Sequence, residues 1–267
     1  MKILVACYRM LSISVLVTVA TLMLLCLIPV LKLLSNEQSN RIQRNFQLRL
    51  CQSIVFLSGL HISYNRESLA GLNRGSPALF VSHHMSYFDV LAIGSLVPGG
   101  FVAMKEVLSW PVVGTFIKSI NTVFVDRDSS NDKVKAIWEI CKRTRTSWWC
   151  LFPSGKTMDS LGPQKGSWLK GFGAVAKRTK ATVVCVGLAY DDMETNAWVG
   201  DIGFLPHFWL NCKRTPHRIR LEFEVIDCST KDSNSFVQDA ESLCAQLSIK
   251  AKKHLDGSTE PQRIYAA

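Results

Sequence analysis

Residues 78–97 read ALFVSHHMSYFDVLAIGSLV, and the way this stretch changes character sets the architecture. Ala78–Ser82 has no charge and reads as a strand of the fully buried type. From about Ser86 to Val97 the apolar spacing is that of a helix. The handover runs through His83, His84, Met85 and Ser86. A buried strand that enters a helix through polar residues marks the end of an open α/β sheet where sites are built.

The same alternation continues outward. Gly71-Leu-Asn-Arg-Gly-Ser-Pro77 is turn-rich and reads as a boundary. Beyond it the spacing predicts strands at Phe101–Met104, Thr122–Val125, Ser147–Phe152, Thr182–Leu188 and Ile219–Val225. Helices fall between and after them, near Trp110–Ser119, Asn131–Thr144, Gly171–Thr179 and Ser235–Leu255. Strands alternating with helices imply an α/β fold with a mainly parallel central sheet flanked by helices.

Upstream of the boundary the chain is different. Met10–Leu31 carries no charged residue, and as a helix it is about 33 Å long, enough to cross the hydrocarbon layer. No small-x-small cleavage pattern precedes Lys32, so the segment reads as an uncleaved anchor rather than a signal peptide. Cys51–Ile62 is a second apolar stretch, too short to span, and is expected in the interface or packed on the first helix. The organisation expected is an anchor helix over 1–35, an amphipathic helical connector over 36–75 and an α/β domain over 76–267.

Among 267 residues, 48% are hydrophobic and 19% charged, which excludes a disordered polyelectrolyte. The net charge of +10 is uneven. Lys2, Arg9, Lys32, Arg41, Arg44, Arg49, Arg66 and Arg74, set against Glu37 and Glu67, place +6 of it before residue 76. Charge that brackets an apolar run suits anionic lipid headgroups, whereas a nucleic-acid binder carries it on a folded face. The excess of basic residues after the run puts the main domain on the cytoplasmic side. The nine cysteines form no C-x-x-C pair and read as reduced, buried thiols, with no metal site.

His84 and Asp89 are the candidate reactive pair. Five positions on one helix put two side chains about 140° apart. With His84 in the loop and Asp89 in the first turn they meet, and the aspartate can hold one ring nitrogen while the other acts as a base. The same spacing also fits a helix cap, Ser86-x-x-Asp89. Gly155-Lys156-Thr157 mimics the end of a Walker loop, but Cys150 stands where its first glycine is required, and Pro153 stiffens the turn. Lys165, Lys170, Lys177, Arg178 and Lys180 surround Trp168, either as a solvated helix face or as contacts to a donor's phosphates or the membrane. Trp198, Phe204, Phe208 and Trp209 crowd the Ala197–Leu210 region, as core or as an interfacial anchor. His207 and His217 lack a matching carboxylate and read as structural.

His84-x4-Asp89 resembles the H-x4-D signature of the glycerolipid acyltransferases, typified by the 1-acylglycerol-3-phosphate acyltransferases. The later segments resemble that family in order and spacing. Phe101-Val-Ala-Met-Lys-Glu-Val107 is similar to F-V-A-K-x-E, with Trp110-Pro-x-x-Gly114 after it. Thr122-Val-Phe-Val-Asp-Arg127 is similar to G-x-x-F-I-x-R, and Phe152-Pro-Ser-Gly155 to F-P-E-G, followed by Thr157 and Asp159.

The resemblance, over residues 76–190, implies transfer of an acyl group from acyl-CoA or acyl carrier protein to a lysolipid hydroxyl, at a membrane. That membrane would be a bacterial inner membrane, or the endoplasmic reticulum in a eukaryote. It implies His84 as general base, Asp89 as its partner, and Arg127 on the acceptor's phosphate. The alternative for Arg127 is a local ion pair with Asp126 or Asp128. No cofactor or metal is implied, and no G-x-S-x-G elbow offers a serine nucleophile. The chain departs from the family pattern at His83 (Asn), Met104 (Lys, with Lys105 as a possible substitute), Asn121 (Gly), Ser154 (Glu), Lys156 (Thr) and Cys185 (Pro). Ser154, Gly155, Lys156 and Thr157 form the loop the resemblance assigns to substrate. Losing a carboxylate and gaining an ammonium there admits a different acceptor, such as lyso-ornithine lipid. It also admits a catalytically silent lipid-binding protein.

Overall fold

The computed structural model describes residues 1–72, 76–110, 114, 117–118, 122–126, 128–144, 147–158, 166–214, 217–228 and 232–257. Seven strands form one sheet in the order β1-β7-β6-β2-β5-β3-β4. They are β1 (Leu60–Tyr64), β2 (Ala78–Ser82), β3 (Gly99–Met104), β4 (Thr122–Val125), β5 (Trp148–Leu151), β6 (Thr182–Tyr190) and β7 (His217–Ile226). β6, β2, β5, β3 and β4 run parallel, while β7 turns back antiparallel to β6 and β1 lies parallel to β7. The mainly parallel sheet expected from the alternation is therefore present.

Its central strand explains the apolar run at residues 78–82. β2 is buried at all five positions because helices cover both faces of the sheet. Ala78 and Phe80 join a core with Phe88 and Ile93 of α4 (Tyr87–Gly94), Ile13 of α1 (Lys2–Leu31), Leu50 of α2 (Asn36–Ser58) and Phe208 of a further helix, Phe204–Cys212. Leu79 and Val81 join the opposite core, built from Ser130–Thr144, Gly171–Thr179 and the long helix Ser233–Gly257. In chain order, counting the short helices α3 (Arg66–Ala70) and α7 (Met193–Asn196), these are α5, α6, α8 (Phe204–Cys212) and α9 (Ser233–Gly257). α9 approaches the sheet so closely that a Cβ at Gly187 of β6 would collide with the backbone of Leu247.

Among the described residues, the N-terminal region up to Leu72 holds the helices α1 and α2, the short α3 and one strand. Ser35 starts α2 with a capping box to Gln38, and Gly59, at φ +72°, ends it. Cys51–Ile62, read as one apolar stretch, is thus two elements: the end of α2 and the start of β1. α2 packs on α1 and α4, and β1 pairs with β7 from Leu60↔His217 to Tyr64↔Leu221. The stretch 36–75 therefore supplies an edge strand of the sheet as well as helix. Leu60 and Ile62 are buried on one face of that strand, a period-2 signal too short to separate from the helix before it.

α1 has one covered face and one bare face. Ala6, Arg9, Ile13, Ala20 and Leu24 are buried, at helical spacing. Leu4, Leu11, Val15, Val19, Leu22 and Leu25 are exposed. Lys2–Leu27 is long and apolar enough to cross a membrane.

Candidate active site

β2 delivers His84 to the carboxyl end of the sheet, and the start of α4 brings Asp89 to it. His84 Nδ1 lies 3.0 Å from Asp89 Oδ2. A carboxylate only accepts, so Nδ1 carries the hydrogen and Nε2 keeps its lone pair. The His84 side chain is 18% exposed and Asp89 is fully buried. One nitrogen is thus anchored inside, and the imidazole remains reachable from outside.

Asp89 is also the helix cap, so the two sequence readings coexist in one carboxylate. Its Oδ2 accepts from the Met85 and Ser86 N–H groups at 2.6 and 2.8 Å, while Ser86 completes a capping box at the start of α4. Its Oδ1 accepts from the Tyr190 hydroxyl at 2.5 Å. Four donors and a helix N-terminus stabilise the negative charge that burial penalises. Burial and the neighbouring carboxylate push the Tyr190 phenol well above its usual range, so it remains a donor.

The adjacent histidine has a different fate. His83 is buried, with Nε2 donating to the Glu241 carbonyl at 3.2 Å and Nδ1 accepting from Trp168 Nε1 at 3.3 Å. Both nitrogens are used, and burial lowers its pKa. Of the two neighbours in sequence, only His84 is open to a substrate.

The loop after β5 closes over this pair. The Phe152 ring stacks on His84 with centroids 4.1 Å apart and 19° between planes. The Met158 N–H donates to the His84 carbonyl at 2.8 Å. Gly155, at φ +73°, makes the turn, with its N–H on the Phe152 carbonyl at 2.9 Å. Ser154 spends its hydroxyl on the Lys156 carbonyl at 2.8 Å, Lys156 is exposed, and Thr157 is half-buried. The segment Ser154–Thr157 therefore lies between two residues that contact His84, Phe152 and Met158.

The expected phosphate ligands are placed less simply. Lys105 forms an ion pair with Asp132 at the start of α5, and that hydrogen bond raises its pKa. Arg127 lies outside the described residues, as do Asn121, Asp159 and Lys165. Asp126, one of the alternative partners for Arg127, accepts from the Asp128 N–H at 3.0 Å. Lys170, Lys177, Arg178 and Lys180 are exposed around a buried Trp168, and Arg178 lies over the Trp138 ring at 4.1 Å.

His207 and His217 are structural, as read. His207 Nε2 donates to the Ala197 carbonyl at 3.1 Å and Nδ1 accepts from the Tyr87 hydroxyl at 3.0 Å. His217 donates from Nδ1 to Asn196 at 2.9 Å, and burial lowers its pKa to about 3.

Tyr190 was not singled out in the sequence. Its signal was available, because the apolar run from Thr182 continues through Ala189 to Tyr190, which carries the strand two residues further than expected and up to Asp89. Glu241 was also missed. From α9 it accepts the N–H groups of Gly166 and Ser167 and the Ser167 hydroxyl, each at 2.9 Å. Nothing in the spacing of α9 distinguishes that glutamate from a solvent-facing one.

The protein-family description "Acyltransferase" matches residues 62–189. The chain is 28% identical over 187 residues to a 1-acyl-sn-glycerol-3-phosphate acyltransferase of Neisseria meningitidis, covering 63% of this chain and 71% of that one. It is 31% identical over 134 residues to the protein of the same description from Neisseria gonorrhoeae, covering 46% and 50%. A lyso-ornithine lipid O-acyltransferase of Rhizobium meliloti is 29% identical over 167 residues, covering 57% and 56%. The matches thus span 71% of the first relative but only about half of the other two. The crystal structure of a 1-acyl-sn-glycerophosphate acyltransferase from Thermotoga maritima superposes with a TM-score of 0.68 over 96% of this chain and 98% of that one. At 15% identity, that likeness concerns the fold alone.

Proposed function

We propose that this chain, as a member of the glycerolipid acyltransferase family, moves a fatty acyl group from an acyl thioester to the free hydroxyl of a lysolipid. The acceptor in this reading is 1-acylglycerol-3-phosphate, and the product phosphatidate. The observation that carries it is the His84 Nδ1–Asp89 Oδ2 hydrogen bond, which leaves Nε2 as a base with outside access.

The acceptor hydroxyl gives its proton to His84 Nε2 as its oxygen attacks the thioester carbonyl. Asp89 holds the resulting imidazolium, already oriented by its hydrogen bond. Collapse of the tetrahedral intermediate breaks the C–S bond, and the imidazolium proton passes to the departing thiolate. Ester and free thiol leave, and His84 is regenerated. No covalent acyl-enzyme forms, and no cofactor enters; acyl-CoA or acyl carrier protein is a co-substrate. Arg127 binds the acceptor phosphate, for which a guanidinium fork is well shaped. The α1 helix holds the chain at a membrane, with the α/β domain on the cytoplasmic side.

Ser154 and Lys156 favour a second acceptor. They replace a carboxylate and a threonine of the family pattern beside His84, and relatives described as lyso-ornithine lipid O-acyltransferases are found at similar identity. The deciding experiment measures thiol release by the full chain with acyl-CoA or acyl carrier protein and a panel of lysolipids. Activity that disappears in His84→Ala supports the scheme, and the preferred acceptor names the substrate. Wild-type turnover by His84→Ala overturns the base assignment, and no turnover with any pair favours a silent lipid-binding protein.

A further inference from the structure

Helix α8 lacks the polar outer face expected on the surface of a water-exposed domain. Its nine residues, FLPHFWLNC, contain no charge. His207 and Asn211, its histidine and its amide, point inward and are buried. Asn211 Nδ2 donates to the Thr195 carbonyl at 3.1 Å and to the His207 carbonyl at 3.0 Å, so both side chains serve the interior. The outward positions are apolar: Leu205 is 62% and Leu210 45% exposed. A helix facing water shows the reverse pattern.

Two further observations say what covers that face. First, α8 lies against α1 and is tied to it: Arg9 of α1 donates to the Cys212 carbonyl at 3.0 Å and to the Arg214 carbonyl at 2.5 Å. Apolar surface left bare on α8 thus lies beside a helix whose own bare face is apolar and long enough to cross a bilayer. Secondly, half-buried Trp209 carries the Lys213 ammonium over its ring, 4.9 Å from the centroid, pairing an aromatic side chain with a cation as at lipid headgroups.

We propose that α8 is a second membrane-contacting element of this chain, lying in the lipid–water interface beside α1. Leu205, Leu210 and Trp209 enter the acyl region and Lys213 stays with the headgroups. The inward face of the same helix builds the wall next to the reactive pair. Phe204 and Phe208 close on Tyr87 at 5.0 and 6.0 Å, and Trp198, 6.2 Å from Phe204, donates its backbone N–H to the Met85 carbonyl beside His84. An element bedded in lipid and walling the site delivers a lysolipid sideways from the bilayer. This delivery role rests on the acyltransferase reading; the bilayer contact does not.

The test uses the full chain reconstituted in phosphatidylcholine vesicles containing phosphatidylglycerol. Tryptophan quenching by brominated acyl chains is compared between wild type and Trp209→Phe, and turnover is compared between wild type and L205S/L210S. Loss of a quenchable component in Trp209→Phe is expected. L205S/L210S is expected to lose about fivefold or more on lysolipid embedded in vesicles, because two apolar side chains no longer anchor the helix, while matching wild type on a short-chain lysolipid below its micellar concentration. Identical quenching together with unchanged vesicle turnover overturns the proposal. So does a dimer in detergent that L205S/L210S converts to a monomer, since the face would then belong to a second copy. If the wild type turns over no lysolipid at all, the acyltransferase reading fails, and quenching alone judges the bilayer contact.

Discussion

Tyr190 and His84 hold opposite oxygens of one buried carboxylate: the phenol donates to Asp89 Oδ1 at 2.5 Å and the imidazole to Oδ2 at 3.0 Å. A residue 101 positions beyond Asp89 is therefore part of what orients the His84 ring. Cys150 of β5 also faces this carboxylate, and its thiol is pushed up by burial and by Asp89.

Tyr190→Phe removes a donor to a charged group while leaving the ring to fill the core. Hydrogen bonds of this kind contribute about 1.5–3 kcal/mol, so kcat is expected to fall on the order of tenfold to a hundredfold. The acceptor KM is expected to change little, because Tyr190 is buried behind Asp89 and does not meet substrate. Steady-state kinetics with the preferred lysolipid check the split. A raised KM at constant kcat speaks against positioning.

Phe152→Leu keeps an apolar side chain in the loop but removes the ring stacked on His84. Such ring pairs contribute about 0.5–1.5 kcal/mol beyond burial, so kcat is expected to drop roughly three- to tenfold with the fold intact. Turnover measured alongside a thermal melt separates loss of ring orientation from loss of stability.

Arg127→Ala is expected to raise the acceptor KM by about ten- to a hundredfold with a smaller effect on kcat, as befits loss of a ground-state phosphate contact. Lys105→Ala is expected to raise it less, because Asp132 already claims that ammonium. Kinetics of both variants with phosphate-bearing and phosphate-free lysolipids provide the check. Equal KM for wild type and Arg127→Ala supports the local ion pair instead.

Stability is expected to decline as pH falls below about 6.5. His217 is neutral in the fold, with its pKa lowered to about 3, and binds its proton readily only when unfolded. The unfolded state therefore takes up more protons through the window from about 6.5 down to 3, and native stability is lost in that direction by about 1.4 kcal/mol per pH unit for one such group. His83 and His207, also lowered by burial, act with the same sign. Melting temperatures between pH 7.5 and 5 should fall for the wild type and fall less steeply for His217→Asn. Parallel curves exclude His217 as a source.

Much of this protein is written in local pattern. β2 reads as buried because four of its five residues are apolar and none is charged, β4 and α6 lie where their periodicity puts them, and His84-x4-Asp89 is a candidate pair that the family resemblance picks out. These features depend on residues within one or two turns or one strand of each other, and the chain itself encodes such distances. Whether Asp89 caps a helix or orients a base is not a matter of spacing; the fold lets one carboxylate do both. Which of the two histidines is sealed and which is left open is likewise invisible locally. His83 is sealed by Trp168 and Glu241, 85 and 158 residues away, while His84 is left open. Tyr190, the edge strand β1 and the apolar outer face of α8 belong to the same class. Each acquires its role from partners brought in by the sheet and its covering helices, and contacts at that separation follow from the packing of the whole chain rather than from the composition of any segment.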